Sequence, residues 1–365
     1  MRGGDKLRVV EIIKELSKKN SLDLVSIGDD EKKISFINKQ FIFKHNLLRK
    51  IFEISKSFLI NEPLQIGLFK IPRMKNKIAK MSKNYDAIIF HLIRTAYYLP
   101  SDYKGRKILE MTDLISKNYE TVDSNLNKFN PLKFLYKYEK IRLKKFEKKN
   151  SQKFDTIVLV NKKDLNNSNL KKYNKSVKIV GNGTHRKKNI YINKKNKKNL
   201  IFFGNINSLA NRSACFDFIK NYLPTLKLKY PNINYKILGN CSLLLKIYFQ
   251  LKGVTVIRNI DQLSNFSKNS IAGICNVKIH SGLQNKILDY TSIGIPVLCN
   301  LNSNNFKFLS NNDLLIYKNK SDFFKKLDKL IMNENLRKTI SNNCFLKTNK
   351  YYLWKKILAK YQSII

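Results

Sequence analysis

A chain of 365 residues, 43% of them apolar, exceeds what one hydrophobic core ordinarily serves and points to two globular domains. Its five cysteines, Cys215, Cys241, Cys275, Cys299 and Cys344, are odd in number and form no Cys-x-x-Cys pair; this argues against a disulfide framework or a zinc ribbon and for reduced, mostly buried thiols in cytoplasm. The formal net charge of +45 suits polyanions such as nucleic acid, an anionic membrane leaflet or phosphorylated substrates, although an AT-rich coding bias toward lysine, asparagine and isoleucine accounts for much of it.

The N-terminus "MRGGDKLRVV" has no signal-peptide core, and no window approaches the roughly 18–20 apolar residues of a membrane span. The chain therefore reads as neither exported nor integral to a membrane. "DKLRVVEIIKELSKKN" repeats apolar residues at Leu7, Val10, Ile13 and Leu16, a helical period, and "SLDLVSI" then alternates as a strand. "DAIIFHLI", "KILEMTD", "DTIVLVN" and "SVKIVGNG" are short apolar runs between lysine-rich helical stretches, the pattern of a parallel, doubly wound sheet.

From Gly183 to Asn199 lysine crowds a segment without apolar period, which reads as a linker. "LIFFGNIN" restarts the alternation, and "NYKILGN", "GVTVIRNI", "IAGICNV" and "IPVLCN" supply the strands of a second α/β domain. "SACFDFIKNYLPTLKLKY" and "NKILDYTSI" are helices between them. The tail "NKYYLWKKILAKYQSII" has near-helical spacing and packs on a domain surface, with Trp354 as anchor. The expected organisation is residues 1–182, a basic linker 183–198, residues 199–345 and a C-terminal helix 346–365.

One stretch carries chemistry: "SGLQNKILDYTSIGIPVLCN", Ser281 to Asn300. Gly282 lets backbone approach a ligand, and the helix that follows offers amide N–H groups and its positive dipole end to an anion. Lys286 adds a cation there. Asp289, one turn later on the same face, suits a vicinal diol such as a ribose. Gly294 ends the helix, and Pro296 opens an apolar strand.

"GLQNKILDYTSIGIPVL" resembles the signature of retaining GT-B glycosyltransferases of the family-4-like, group 1 kind. The resemblance extends through Gly3 and Gly4, the step from Asp86 to His91, "NGT" from Asn182 to Thr184, "FFGNINSLAN" with Gly204 and "YKILGN" with Gly239. "GLQNK" and "EMTDLISKNY" are most similar to enzymes that build bacterial cell-surface glycans. It implies two Rossmann-like domains facing a central cleft, an acceptor bound by the first and a UDP- or GDP-type nucleotide sugar bound by the second, with no metal or other cofactor.

Carried onto this chain, the resemblance makes His91 and Lys286 catalytic candidates. Donor candidates are Gly204, Asn205, Asn211, Arg212, Gly239, Lys278, Ser281, Gly282, Asn285, Lys286 and Asp289. Acceptor candidates are Gly3, Gly4, Arg94 and Asp113, the last forming a "D-x-x-S" with Ser116 that a helix N-cap explains as well.

Three departures stand out. Ser281 replaces the first acid of the family motif. Asn205 and Asn211 replace an arginine and a lysine that neutralise the leaving diphosphate, which leaves Lys286, Lys278 or Arg212 to supply charge. Met1 and Arg2 stand where relatives have an apolar strand, so the expectation is either a misassigned start or a missing first strand of the sheet. The competing expectation is a non-catalytic protein that binds polyanions or membranes on a degenerate GT-B scaffold. A sugar-nucleotide epimerase is a third, less favoured for want of carboxylates and histidines that could be placed near an anomeric carbon. Nucleic acid is the least favoured partner, because no DNA- or RNA-reading motif is present.

Overall fold

The computed structural model describes residues 4–29, 34–126, 128–166, 168–189, 191, 198–258, 260, 263–266, 269–278, 284–301, 306–310 and 312–365. Among them twelve strands form sheets of two, four and six strands, and every pairing is parallel. The chain divides into two compact units: Arg8–Gly181 with Leu358–Ile365, and Asn182–Ile357 with residues 4–7. They are called the N-terminal and C-terminal units below.

In the N-terminal unit β1 (Asp23–Ile27) pairs with β2 (Lys39–Phe43). A separate sheet runs in the order β3 (Ala87–His91), β4 (Arg106–Thr112), β5 (Thr156–Leu159) and β6 (Val177–Ile179). The apolar runs at β4 and β5 follow from their central place, where helices cover both faces. Val25, Ile27 and Phe43 pack on the same core as Phe90, Leu109 and Ile157, so both sheets serve one body. Among the described residues no backbone ladder joins β1 to β3. The Tyr85 hydroxyl donates to the Asp23 carboxylate beside that junction.

The C-terminal sheet has the order β12 (Leu315–Tyr317), β11 (Val297–Asn300), β10 (Ser270–Cys275), β7 (Asn199–Phe203), β8 (Asn234–Leu238) and β9 (Thr255–Ile257). Counting β7 as first, this is 3-2-1-4-5-6, the doubly wound order whose direction reverses between β7 and β10. Its core is aromatic on one side: Phe218 stacks on Tyr235 with ring centroids 4.1 Å apart, and Phe323 meets Tyr222 and Tyr317 edge-on at 5.0 and 5.1 Å. All five cysteines are buried, unbridged, in this unit.

The stretch read as a linker is tied down where it is described. Thr184 N donates to Tyr352 O at 2.8 Å and Thr184 O accepts from Trp354 N at 3.0 Å. The Tyr191 hydroxyl reaches Ile271 O at 3.2 Å. The tail is a helix Glu334–Tyr351 followed by a short helix Trp354–Leu358 and a tight turn through Ser363, instead of one continuous helix. Trp354 is buried against Gly183, where a Cβ would fall 2.8 Å from the indole.

Candidate functional site

In a doubly wound sheet ligands bind outside the carboxyl ends of the strands where the order reverses. Here those ends belong to β7 and β10. Gly204 follows β7 and Gly239 follows β8, with φ of +154° and +138°. A Cβ on Gly239 would lie 2.0 Å from the Gly204 carbonyl oxygen, so the two turns nest only with glycine at that place.

The loop after Gly204 leads into the helix Leu209–Asn221, whose first turn carries Asn211 and Arg212. Asn211 Nδ2 donates to the Asn205 carbonyl at 2.9 Å. Its Oδ1 accepts from Lys286 Nζ at 2.6 Å. Asn205 Oδ1 accepts from Asn207 N at 3.1 Å, closing the loop as an Asx turn. Asn205 and Asn211 are thus the scaffold of one buried lysine.

Lys286 stands on the helix Asn285–Thr291, is buried, and has Nζ 4.2 Å from the centroid of the Phe202 ring. Burial pushes its pKa down, while the Cys275 and Cys215 thiols and Asp289 pull it up. Asp289 lies half-buried one turn on, and burial raises its pKa to about 6 against the opposing pull of Lys187 and Lys286. Lys286 is held at a place that withholds water from its charge, so an anion near it would gain more than in solvent.

Asn285 Oδ1 accepts from Asn182 Nδ2 at 2.7 Å, which fixes the start of the helix. Gly294, at φ +80°, closes it before β11. Lys278 donates to Asp217 Oδ1 at 2.8 Å, so much of its charge is already met. Ser281 and Gly282 lie outside the described residues.

In the N-terminal unit His91 ends β3 opposite Glu110 on β4. Both His91 ring nitrogens are buried without a hydrogen-bond partner among the described residues. Burial, with Arg8 and Arg94 nearby, pushes its pKa down to about 3, so the imidazole is neutral at physiological pH. Such a ring can still give or take one hydrogen bond. Arg94 lies over the Phe69 ring, Cζ 4.3 Å from its centroid. The residues just beyond His91 and Met111, Leu92 and Thr112, have φ of +69° and +61°, strained values that gather at functional edges.

Asp113 follows Thr112, and its N–H donates to Met111 O at 2.8 Å. The next helix, Ile115–Asn125, has Leu114 at its N-cap and no side-chain cap, so Asp113 does not serve as one. Ser116 donates from N and Oγ to the Glu147 carboxylate at 2.9 and 2.5 Å. Gly4 opens the helix Gly4–Leu16. Gly3 lies outside the described residues.

Three groups escaped the reading of the sequence. Tyr290 accepts from Phe203 N at 2.7 Å and donates to Ile201 O at 3.2 Å, pinning the end of β7; its ring lies where a Cβ on Gly273 would be, at 2.5 Å. Asp217 neutralises Lys278. Arg8 pairs with the wholly buried Glu110, Nε to Oε1 at 3.1 Å, and clamps the carbonyls of Val180 and Gly181 at 2.8 and 2.7 Å. Glu110 alone left a signal: an acid inside the apolar run "KILEMTD" requires a buried partner.

Among the described residues no group of three His, Cys, Asp or Glu side chains is placed to hold a metal ion, and no helix is long and apolar enough to cross a membrane. No family model matches the sequence, and no curated protein matches it. Solved structures do. Sucrose-phosphate synthase from Thermosynechococcus elongatus superposes with a TM-score of 0.73 at 11% identity, over 99% of this chain and 92% of its own. Anabaena HepE in complex with UDP-glucose gives 0.69 at 11%, over 100% and 97%. The trehalose-6-phosphate synthase OtsA gives 0.65 at 12%, over 100% and 94%. The fold is GT-B, with a parallel Rossmann-like sheet in each unit.

Proposed function

We infer that the protein is a glycosyltransferase that moves a sugar from a UDP- or GDP-type nucleotide sugar to a cell-surface glycan or lipid-linked acceptor, with retention and without a metal or other cofactor. The observation that carries this reading is the buried Lys286, held by Asn211 beside the Gly204 and Gly239 turns, with Asp289 one helical turn away. In this reading Lys286 stabilises the departing diphosphate, the step on which catalysis rests. Asp289 accepts from the ribose hydroxyls. Neutral His91 hydrogen-bonds the transferred sugar, and Arg94 and Asp113 face the acceptor. HepE, solved with UDP and with UDP-glucose, lends weight to UDP as the first donor to try.

Calorimetric titration with UDP, GDP, ADP and CMP in moderate salt, beside Asp289→Asn, tests it. One nucleotide binds selectively, and the variant weakens it by about tenfold or more. No binding to any of the four by correctly folded protein overturns the reading.

A second reading has its own support. Asn205 and Asn211 are spent on each other and on Lys286, and Lys278 on Asp217, which leaves few cations for a diphosphate. A degenerate scaffold that binds polyanions or membranes would ignore nucleotides and bind heparin with a steep salt dependence.

A further inference from the structure

The helix Leu47–Leu59 is built inside out. Its buried residues are Glu53 and Ser57, at 7% and 0% exposure, whereas Leu47, Leu48, Ile51, Phe52, Phe58 and Leu59 are exposed, the least of them by 56%. At 100° per residue those six side chains share an arc of about 140°. Arg49 and Lys56 border that arc on one side and Lys50 on the other. Folding cannot explain such a face, because core burial would turn it inward.

A second apolar group adjoins it. Phe129, Leu132, Phe134 and Leu135 are exposed at and before the start of the helix Leu132–Ser151. Phe58 joins the two elements by stacking on Tyr138 with centroids 5.7 Å apart, and the Glu139 carboxylate accepts from Leu64 N and Gln65 N, in the short helix Leu64–Gly67 that follows Leu47–Leu59, at 2.7 and 3.1 Å. Lys128, Lys133 and Lys137 lie in this group. From residue 44 to 60 the only acid is the buried Glu53, and from 128 to 137 there is none.

We propose that this surface docks on an anionic lipid bilayer, with the apolar arc at the boundary of headgroups and acyl chains and the flanking cations on lipid phosphates. The charge decides among occupants. A convex apolar helix face edged by cations on both sides complements an interface that is apolar within and negative at its surface. A protein groove would require no such edging. The docking is independent of whether the chain binds a nucleotide, so each can fail alone.

The test is co-sedimentation of the full chain with phosphatidylcholine vesicles and with vesicles in which about a third of the lipid is phosphatidylglycerol. Three partners accompany wild type: Leu48→Gln with Phe52→Gln, Arg49→Glu with Lys56→Glu, and Leu243→Gln with Leu244→Gln on another exposed apolar helix, Leu243–Leu251. Wild type and the third pair bind the anionic vesicles alike, and each of the first two pairs loses about tenfold or more in partitioning with circular dichroism unchanged. Equal binding by the Leu48/Phe52 pair overturns the proposal. Failure of wild type to bind anionic vesicles overturns it as well, and loss of a concentration-dependent dimer or of a captured protein in the Leu48/Phe52 pair would then assign the face to a protein.

Discussion

In the C-terminal unit six strands pair without a break, whereas the strands of the N-terminal unit fall into a pair and a separate set of four. The point at which the order reverses is therefore laddered in one unit and bridged by side chains in the other. Between β7 and β10 the backbone pairs, with a register shift between Ser270 and Ala272, and Tyr290 ties Phe203 from below. Between β1 and β3 no ladder forms among the described residues, and the Tyr85–Asp23 bond and the packing of Val25 and Ile27 on the core around Phe90 take its place. The difference teaches where rigidity resides: a continuous ladder lets the C-terminal unit hold two charges in place on either side of a helical turn, while the N-terminal candidates hang from strained residues at single strand ends.

The largest expected effect sharpens this contrast. Gly239→Ala drives a Cβ into the Gly204 carbonyl and should cost about 3 kcal/mol or more, a Tm loss of roughly 10 °C. Gly28→Ala in the N-terminal unit meets nothing within 4 Å and should change stability by less than about 0.5 kcal/mol. Thermal unfolding of both variants compares the units directly, and equal losses would break the comparison.

Next comes Lys286→Met. Removing a charged donor should weaken nucleotide binding by about 10–100-fold. The same change removes a buried charge, so the ligand-free protein should keep or gain stability. Calorimetry and thermal unfolding on one preparation separate the two effects. A Tm loss with binding intact would make Lys286 a structural lysine.

The pH response differs between the units. His91 has a folded pKa of about 3, below its ordinary 6.5, so the unfolded chain takes up a proton that the folded one refuses. Stability should fall as pH drops from 6.5 toward 3, by up to about 1.4 kcal/mol per unit. Glu147 and Asp164, raised to about 7 and about 6 by burial, oppose it over part of that window. His91→Gln should flatten the acid limb, read from urea midpoints between pH 4 and about 7. An unchanged limb would place the acid sensitivity elsewhere.

The smallest effect concerns Asp289. Its pKa rises from 3.8 to about 6, so the cost of its charge builds between those values and is complete above them. Asp289→Asn should raise the Tm of the ligand-free protein slightly at pH above about 7 and leave it unchanged near pH 4. A lower Tm at both would show that the carboxylate holds the fold together.

Ten of the twelve strands stand in the sequence, β1 as an alternation and nine as apolar runs between turn residues, because strands covered on both faces must be apolar throughout. β2 and β12 do not. "KQFIF" sits at a sheet edge with polar neighbours, and "LIY" is too short for a period to show. The Gly204 and Gly239 turns were legible because each directly follows its strand, and Lys286 and Asp289 because both lie in one short stretch of helix between β10 and β11. The hold of Asn211 on Lys286 was not, since it spans 75 residues and depends on packing. The inverted helix Leu47–Leu59 was equally hidden: its apolar period matches that of an ordinary core helix, and only the fold tells which side faces out.

The distribution of thiols gives the molecule a built-in clock for one half. Cys215, Cys241, Cys275, Cys299 and Cys344 are all buried within Asn182–Ile357, and the other unit has none. Burial also drives the Cys215 thiol up to about 12 and raises the Cys299 and Cys344 thiols, so their reactive thiolate form is scarce while the fold is closed. A sulfhydryl reagent therefore modifies the chain only when the C-terminal sheet opens, and alkylation rates with and without nucleotide read the opening of that unit while the other stays silent.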